Sequence, residues 1–125
     1  MKNPPENLAS LKGEEYCYLT TTGRVSGNPH EIEIWFGMND GTLYLLSGGG
    51  DKSDWVKNLL KHPSVTVRIA KHTFNATARI VNDKKEETMA RTMLADKYNE
   101  RESDSSLSEW ARTALPVGVD LQEAL

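Results

Sequence analysis

Residues 30–47 read HEIEIWFGMNDGTLYLLS, and the fold turns on this stretch. From His30 to Gly37 the side chains alternate. His30, Ile32, Ile34 and Phe36 fall on one face of a strand and Glu31, Glu33 and Trp35 on the other, the two-residue period of a pleated chain. Asp40-Gly41 then supplies the pair best suited to a two-residue hairpin turn, whose central positions both need positive φ. Thr42 to Ser47 is the return strand. A hairpin here means an antiparallel sheet, because parallel strands need a crossover of a dozen or more residues between them.

Outward from the hairpin the same reading continues. Upstream, EYCYLTTTG is rich in β-branched and aromatic residues and forms a strand that runs into a turn over Gly23 to Pro29. Downstream come three glycines, Gly48 to Gly50, and then a helix capped by Asp51 or Ser53, with Trp55, Val56, Leu59 and Leu60 at helical spacing. His62-Pro63 closes that helix. SVTVRIA and TFNATARIV alternate as two more antiparallel strands meeting at Lys71-His72.

Asp83 and Glu86 mark a capping box ahead of a helix that buries Met89, Ala90, Met93, Leu94 and Tyr98. Ser106 with Glu109 suggests a further cap before LSEWARTAL, and VGVDL after Pro116 is expected as a final edge strand. About six short strands with two or three helices give a mainly β, α+β chain: a small barrel with flanking helices.

The chain has 125 residues, the size of one domain, with 38% hydrophobic and 26% charged residues. Its 15 basic residues are scattered against 18 acidic ones, a net charge of −3, which argues against nucleic acid as a partner. One cysteine, Cys17, cannot form an internal disulfide, and no apolar run is long enough for a membrane span. A cytoplasmic protein is expected, with a flexible segment over 1–14 that contains KNPPEN and a single domain over 15–125.

Two stretches carry candidate chemistry. Glycines at 48–50 let a backbone approach a ligand closely, and the helix that follows offers free N–H groups to an anion; the plain alternative is a sharp strand-to-helix turn. In TTTGRVSGNP, hydroxyls and backbone amides crowd a turn around Arg24, which can grip a phosphate or carboxylate with two parallel hydrogen bonds. His30, His62 and His72 lack companions at ligand spacing, so no metal is expected, although His30 can line a pocket. Trp35 beside Glu31 and Glu33 implies that their face is covered, by a second subunit among other possibilities.

Taken in order, LTTTGRVSGNP, WFGMNDGTLYLLSGGG, DWVKNLLKHPSVTVRI and LPVGVDL resemble the deazaflavin-dependent nitroreductases, relatives of the FMN-binding split barrels. The resemblance implies a split β-barrel working as a homodimer. It also implies hydride transfer from reduced coenzyme F420 to a small-molecule acceptor: a quinone, a nitro compound or an activated alkene.

Arg24, Ser26, Ser47, Gly49, Trp55 and Asn58 match the family's turn arginine, hydroxyls, glycine, tryptophan and helix asparagine. With His30, Trp35, Gly48 and Gly50 they form the expected cofactor-binding set, and Tyr98 the expected catalytic proton donor. Val25, His30 and Gly48 stand where the family commonly has basic residues. FMN in place of F420, or a non-catalytic ligand-binding protein of the same fold, therefore stays open.

Overall fold

The computed structural model describes residues 8–125. Seven strands form one antiparallel sheet: β1 (Tyr16–Thr22), β2 (Pro29–Trp35), β3 (Gly37–Asn39), β4 (Thr42–Ser47), β5 (Ser64–Ile69), β6 (His72–Ile80) and β7 (Leu115–Ala124). Helices are α1 (Leu8–Leu11), α2 (Asp54–Lys61), α3 (Lys84–Lys97) and α4 (Glu109–Thr113), with a 3-10 turn over Gly50–Lys52 ahead of α2. The strand order is β2-β1-β5-β6-β7-β4-β3.

That order shows how the opening stretch shapes the molecule. The Asp40-Gly41 turn forms as expected, with φ of 50° and 79° and Asn39 paired to Thr42. Its outgoing arm, however, is the three-residue β3. The alternating segment before it is β2, which pairs with β1 instead, Tyr16 opposite Trp35 and Leu19 opposite Ile32. β2 and β3 thus lie at opposite ends of the strand order, yet a single residue, Phe36, separates them. A sheet whose two edges are consecutive in the chain must curl until those edges meet, and Phe36, fully buried, sits at the seam.

The inner face carries Cys17, Leu19, Phe36, Leu43, Leu45, Val67, Ile69, Phe74, Val117 and Val119, closed at one end by Val56 and Leu59 of α2. α3 covers a second cluster of Tyr44, Leu46, Val81, Ala90 and Leu94. Asp83 caps α3, its carboxylate accepting from the Glu86 N–H at 2.9 Å. The Glu86 carboxylate turns instead to Arg79 and Tyr44.

Several expectations change. β7 is internal, between β6 and β4, and not an edge: Pro116 is its second residue, where its carbonyl accepts from Val81 and no N–H is asked of it. The cap of α4 is Ser108, whose hydroxyl accepts from the Ala111 N–H, while Ser106 bonds Asp104 in the preceding turn. Of the segment expected to be flexible, Leu8–Leu11 is helical with Leu11 buried, and 1–7 lie outside the described residues. Among the described residues no helix is long and apolar enough to cross a membrane.

Candidate functional site

β2 divides between two cavities. His30, Glu31 and Ile32 line a cleft of about 460 Å³; Glu33, Ile34 and Trp35 line a cavity of about 410 Å³. A strand advances about 3.3 Å per residue, so six residues carry a continuous edge of roughly 20 Å past both.

The first cleft is built by the turn after β1 against α2. Arg24, Ser26, His30, Trp55 and Asn58, five of the expected residues, all line it with Thr21 and Asp54. Asn58 is buried and holds the turn in place. Its Oδ1 accepts from the Arg24 backbone N–H at 3.1 Å and from Arg24 Nη1 at 2.9 Å, and its Nδ2 donates to Thr21 Oγ1 at 3.2 Å. Arg24 Nη2 reaches Asp54 Oδ1 at 3.0 Å, and Lys61 Nζ donates to the Arg24 carbonyl. Gly23 allows this packing, since a Cβ there would lie 2.7 Å from both His30 Nε2 and Ser26 Oγ.

The glycine run lies outside that lining. Gly50 takes φ of 63°, and Gly49 approaches Ser53 so closely that a Cβ would sit 2.5 Å from its Oγ. Ser47, buried, donates to the Gly50 carbonyl and shares a 2.9 Å hydroxyl contact with Ser53. Ser53 is the N-cap of α2 but makes no side-chain cap, because its hydroxyl is turned to Ser47. The run therefore bears on the cleft by setting the start of α2, whose first residues Asp54 and Trp55 line it. Gly48 lines a different hollow, beside Trp110, Glu109 and Thr113.

Trp35 belongs to the second cavity, with Tyr16, Glu33, Leu46, Glu100 and Trp110. Tyr98 stacks on it at 4.2 Å and 6°, and Trp110 meets it edge-on at 5.5 Å. The cover inferred for the Trp35 face is thus supplied by the same chain. The Tyr98 hydroxyl is turned to backbone: it accepts from the Phe36 N–H at 2.9 Å and faces the carbonyls of Glu15 at 2.7 Å and Phe36 at 3.0 Å. Burial pushes its pKa up to about 12. Beside it Lys97 Nζ lies 3.7 Å over the Phe36 ring, and burial brings that ammonium down to about 8.

Trp110, Glu100, Tyr16 and Asp54 were missed in the sequence. Tyr16 lies far in the chain from Glu100 and Trp110 and meets them only when the barrel closes; Asp54 reads there as an ordinary first-turn acid.

The curled antiparallel sheet is a split barrel, with an arginine-lined cleft and a separate aromatic cavity along β2. Solved structures agree on the fold. One is a putative 5-nitroimidazole antibiotic resistance protein from Bacteroides thetaiotaomicron, 16% identical, with a TM-score of 0.77 over 98% of this chain and 82% of that one. A putative pyridoxamine 5'-phosphate oxidase from Listeria innocua is 17% identical, with a TM-score of 0.70 over 94% and 92%. An F420 reductase is 16% identical, with a TM-score of 0.69 over 98% of each chain.

The model of the F420H(2)-dependent quinone reductase family matches residues 3–122, and the chain belongs to that family. It is an F420-dependent reductase, and its cofactor is coenzyme F420.

The residues present fit that cofactor. The arginine, the Ser26 hydroxyl and the first-turn amides of α2 form a donor set for a phosphate, and the adjoining aromatic walls suit a planar acceptor.

Proposed function

We propose that the chain reduces quinones, and by the same route nitro compounds and activated alkenes, in the cavity lined by Trp35 and Trp110. The observation that carries this reading is the division of β2 between a cleft that holds Arg24 and an aromatic one. Arg24, Ser26 and the start of α2 would hold the F420 phosphate, with His30, Trp55 and Asn58 shaping the cleft around them. Ser47, Gly49 and Gly50 set the approach of α2, and Gly48 lies beside Trp110. When bound, reduced F420 supplies a hydride.

The chain's own contribution is orientation and exclusion of water. Tyr98 acts as a positioning residue: its ring fixes Trp35 against the cavity while its hydroxyl ties the seam at Phe36 to Glu15. The proton that completes quinone reduction comes from solvent through the open mouth of the cavity. Tyr98→Phe should therefore lower turnover by loosening Trp35, and should leave the pH dependence of turnover unchanged. A lost or displaced pH limb would restore the hydroxyl as proton donor.

The working unit is the domain over 15–125, and it acts in the cytoplasm, where a lone buried Cys17 needs no partner. We also propose a homodimer. β1, β2 and β5 turn Tyr18, Glu31 and Arg68 outward as a cross-strand set, Arg68 lying 4.1 Å over the Tyr18 ring and 3.9 Å from Glu31. Sedimentation would check it.

The test of function is oxidation of reduced F420 by menadione and by a nitroaromatic, followed by absorbance. Turnover that falls in Trp35→Ala with F420 affinity kept supports the proposal. F420 binding with no oxidation by either acceptor would mark a sequestering protein, and binding of FMN alone would overturn the assignment.

A further inference from the structure

The lining of the second cavity carries more information than its aromatic character. Glu33 and Glu100 stand in it with Trp35, Trp110 and Tyr16, and among the described residues that line it none is Lys, Arg or His. Both carboxylates are held in place. Glu33 accepts from the Tyr18 hydroxyl, and Glu100 accepts from Ser108 Oγ at 2.9 Å, Ser108 being the cap that sets the start of α4 and so the place of Trp110.

Among the described residues neither carboxylate forms an ion pair. Arg68 lies 3.9 Å from Glu31 on the outer face, and Arg101 pairs with Asp96. Indole and phenol faces carry negative potential that attracts a desolvated cation, and two fixed carboxylates add to it. A neutral quinone uses the rings and makes no use of the charges.

From this juxtaposition we propose that the cavity is a site for organic cations, and that the acceptors it favours are planar cations such as N-alkylated heteroaromatics. The acceptor role rests on the reductase reading above; cation binding does not. The chemistry balances without a protein acid. The ring carbon next to the charged nitrogen gains the hydride given up by the reduced deazaflavin, a new C–H bond forms, and the C=N π pair moves onto nitrogen, whose charge falls to zero. The acceptor takes up no separate proton, and the N–H proton that the reduced deazaflavin loses with the hydride goes to solvent, in keeping with a Tyr98 hydroxyl turned to backbone.

The test uses the whole chain without cofactor and follows the indole N–H resonances of its three tryptophans, with phenyltrimethylammonium and benzenesulfonate as probes. Phenyltrimethylammonium should move Trp35 and Trp110 in a saturable way and leave Trp55, which lines the other cleft, in place. Benzenesulfonate should leave Trp35 and Trp110 in place, and any shift it causes should fall on Trp55 in the arginine-lined cleft. Glu33→Gln and Glu100→Gln, which keep the hydrogen-bond acceptor, should each weaken the cation about threefold and together about tenfold, the scale of partly exposed charge pairs.

Equal response to the sulfonate, or unchanged affinity in the double variant with its thermal melt intact, would overturn the proposal. If the double variant fails to fold, the two single variants decide the matter on the same criterion. Once F420 is loaded, the effect of both changes should appear in KM for a cationic acceptor and not in kcat. A chain that binds the cation but oxidises no acceptor would overturn the reductase reading and leave the cation site standing.

Discussion

Two arginines in this molecule are both bound to side-chain oxygens, and the difference between their partners separates structure from function. Arg79, on β6, donates to both oxygens of Glu86 and both of Asp120, at 2.7–3.2 Å. Tyr44 adds a hydrogen bond to Glu86 and Thr42 one to Asp120. Two carboxylates more than balance one guanidinium, and Gly118 gives it room, a Cβ there falling 3.1 Å from Cζ. Both edges of its fork are taken up by carboxylates, and the group clamps α3 to the sheet.

Arg24 has a neutral amide, Asn58, and one carboxylate, Asp54, whose side chain is 85% exposed. Water and an incoming anion can both compete for that contact. A paired arginine in a cleft is therefore a candidate ligand group when its counter-charge is single and solvated, and a structural one when it is outnumbered.

The sharpest way to break this contrast is Asn58→Leu. The change leaves the Arg24 N–H and the Thr21 hydroxyl without their partner in a buried setting, which costs about 2–3 kcal/mol of stability by the usual penalty for stranded polar groups. It should also loosen F420 by an order of magnitude, since the turn is no longer held. Urea unfolding and a fluorescence titration check the two effects. Arg79→Met should cost about 2 kcal/mol, because Glu86 and Asp120 then face each other unpaired, and should spare F420 affinity.

The same clamp sets the acid limb of stability. Glu86 is held below its usual 4.5 mainly by hydrogen bonds from Arg79 and Tyr44, and Asp120 below its usual 3.8 mainly by Arg79. Carboxylates whose folded pKa is lowered stabilise fully above their unfolded values, and that contribution disappears as pH falls through the folded ones. The urea midpoint should decline as pH drops below about 4.5, and the decline should be shallower in Arg79→Met. The smallest effect expected is in the other direction: Asp54→Asn frees Arg24 from an internal competitor and should tighten F420 about threefold, the scale of an exposed ion pair.

Much of the fold was legible because its signals are local. The Asp40-Gly41 turn needs two positive φ values that few other pairs supply, and the Asp83 cap needs only a neighbouring N–H. Strand partnership is not local. The alternation of His30 to Phe36 specifies a strand with two faces but not which strand lies beside it, so β2 was expected opposite β4 and is found opposite β1. Pro116 misled in the same way, since its missing N–H matters only if the register asks for it.

At the site, the turn arginine and its cleft companions were visible as a chemical type in one stretch. The meaning of Asn58 as a buried brace, and the meeting of Trp35, Tyr98 and Trp110, come from barrel closure that brings residues 63 and 75 positions apart into contact. The Tyr98 ring stacks on Trp35, while its hydroxyl direction depends on where the backbone of Phe36 runs.

The claim that Arg24 and the start of α2 form the cofactor cleft is tested most directly by titrating F420 into the wild-type chain and into Arg24→Ala, following F420 fluorescence. Losing a charge-assisted contact of about 1.5–3 kcal/mol should weaken binding roughly 10- to 150-fold while the thermal melt moves little. Equal affinity in the two proteins would contradict the account.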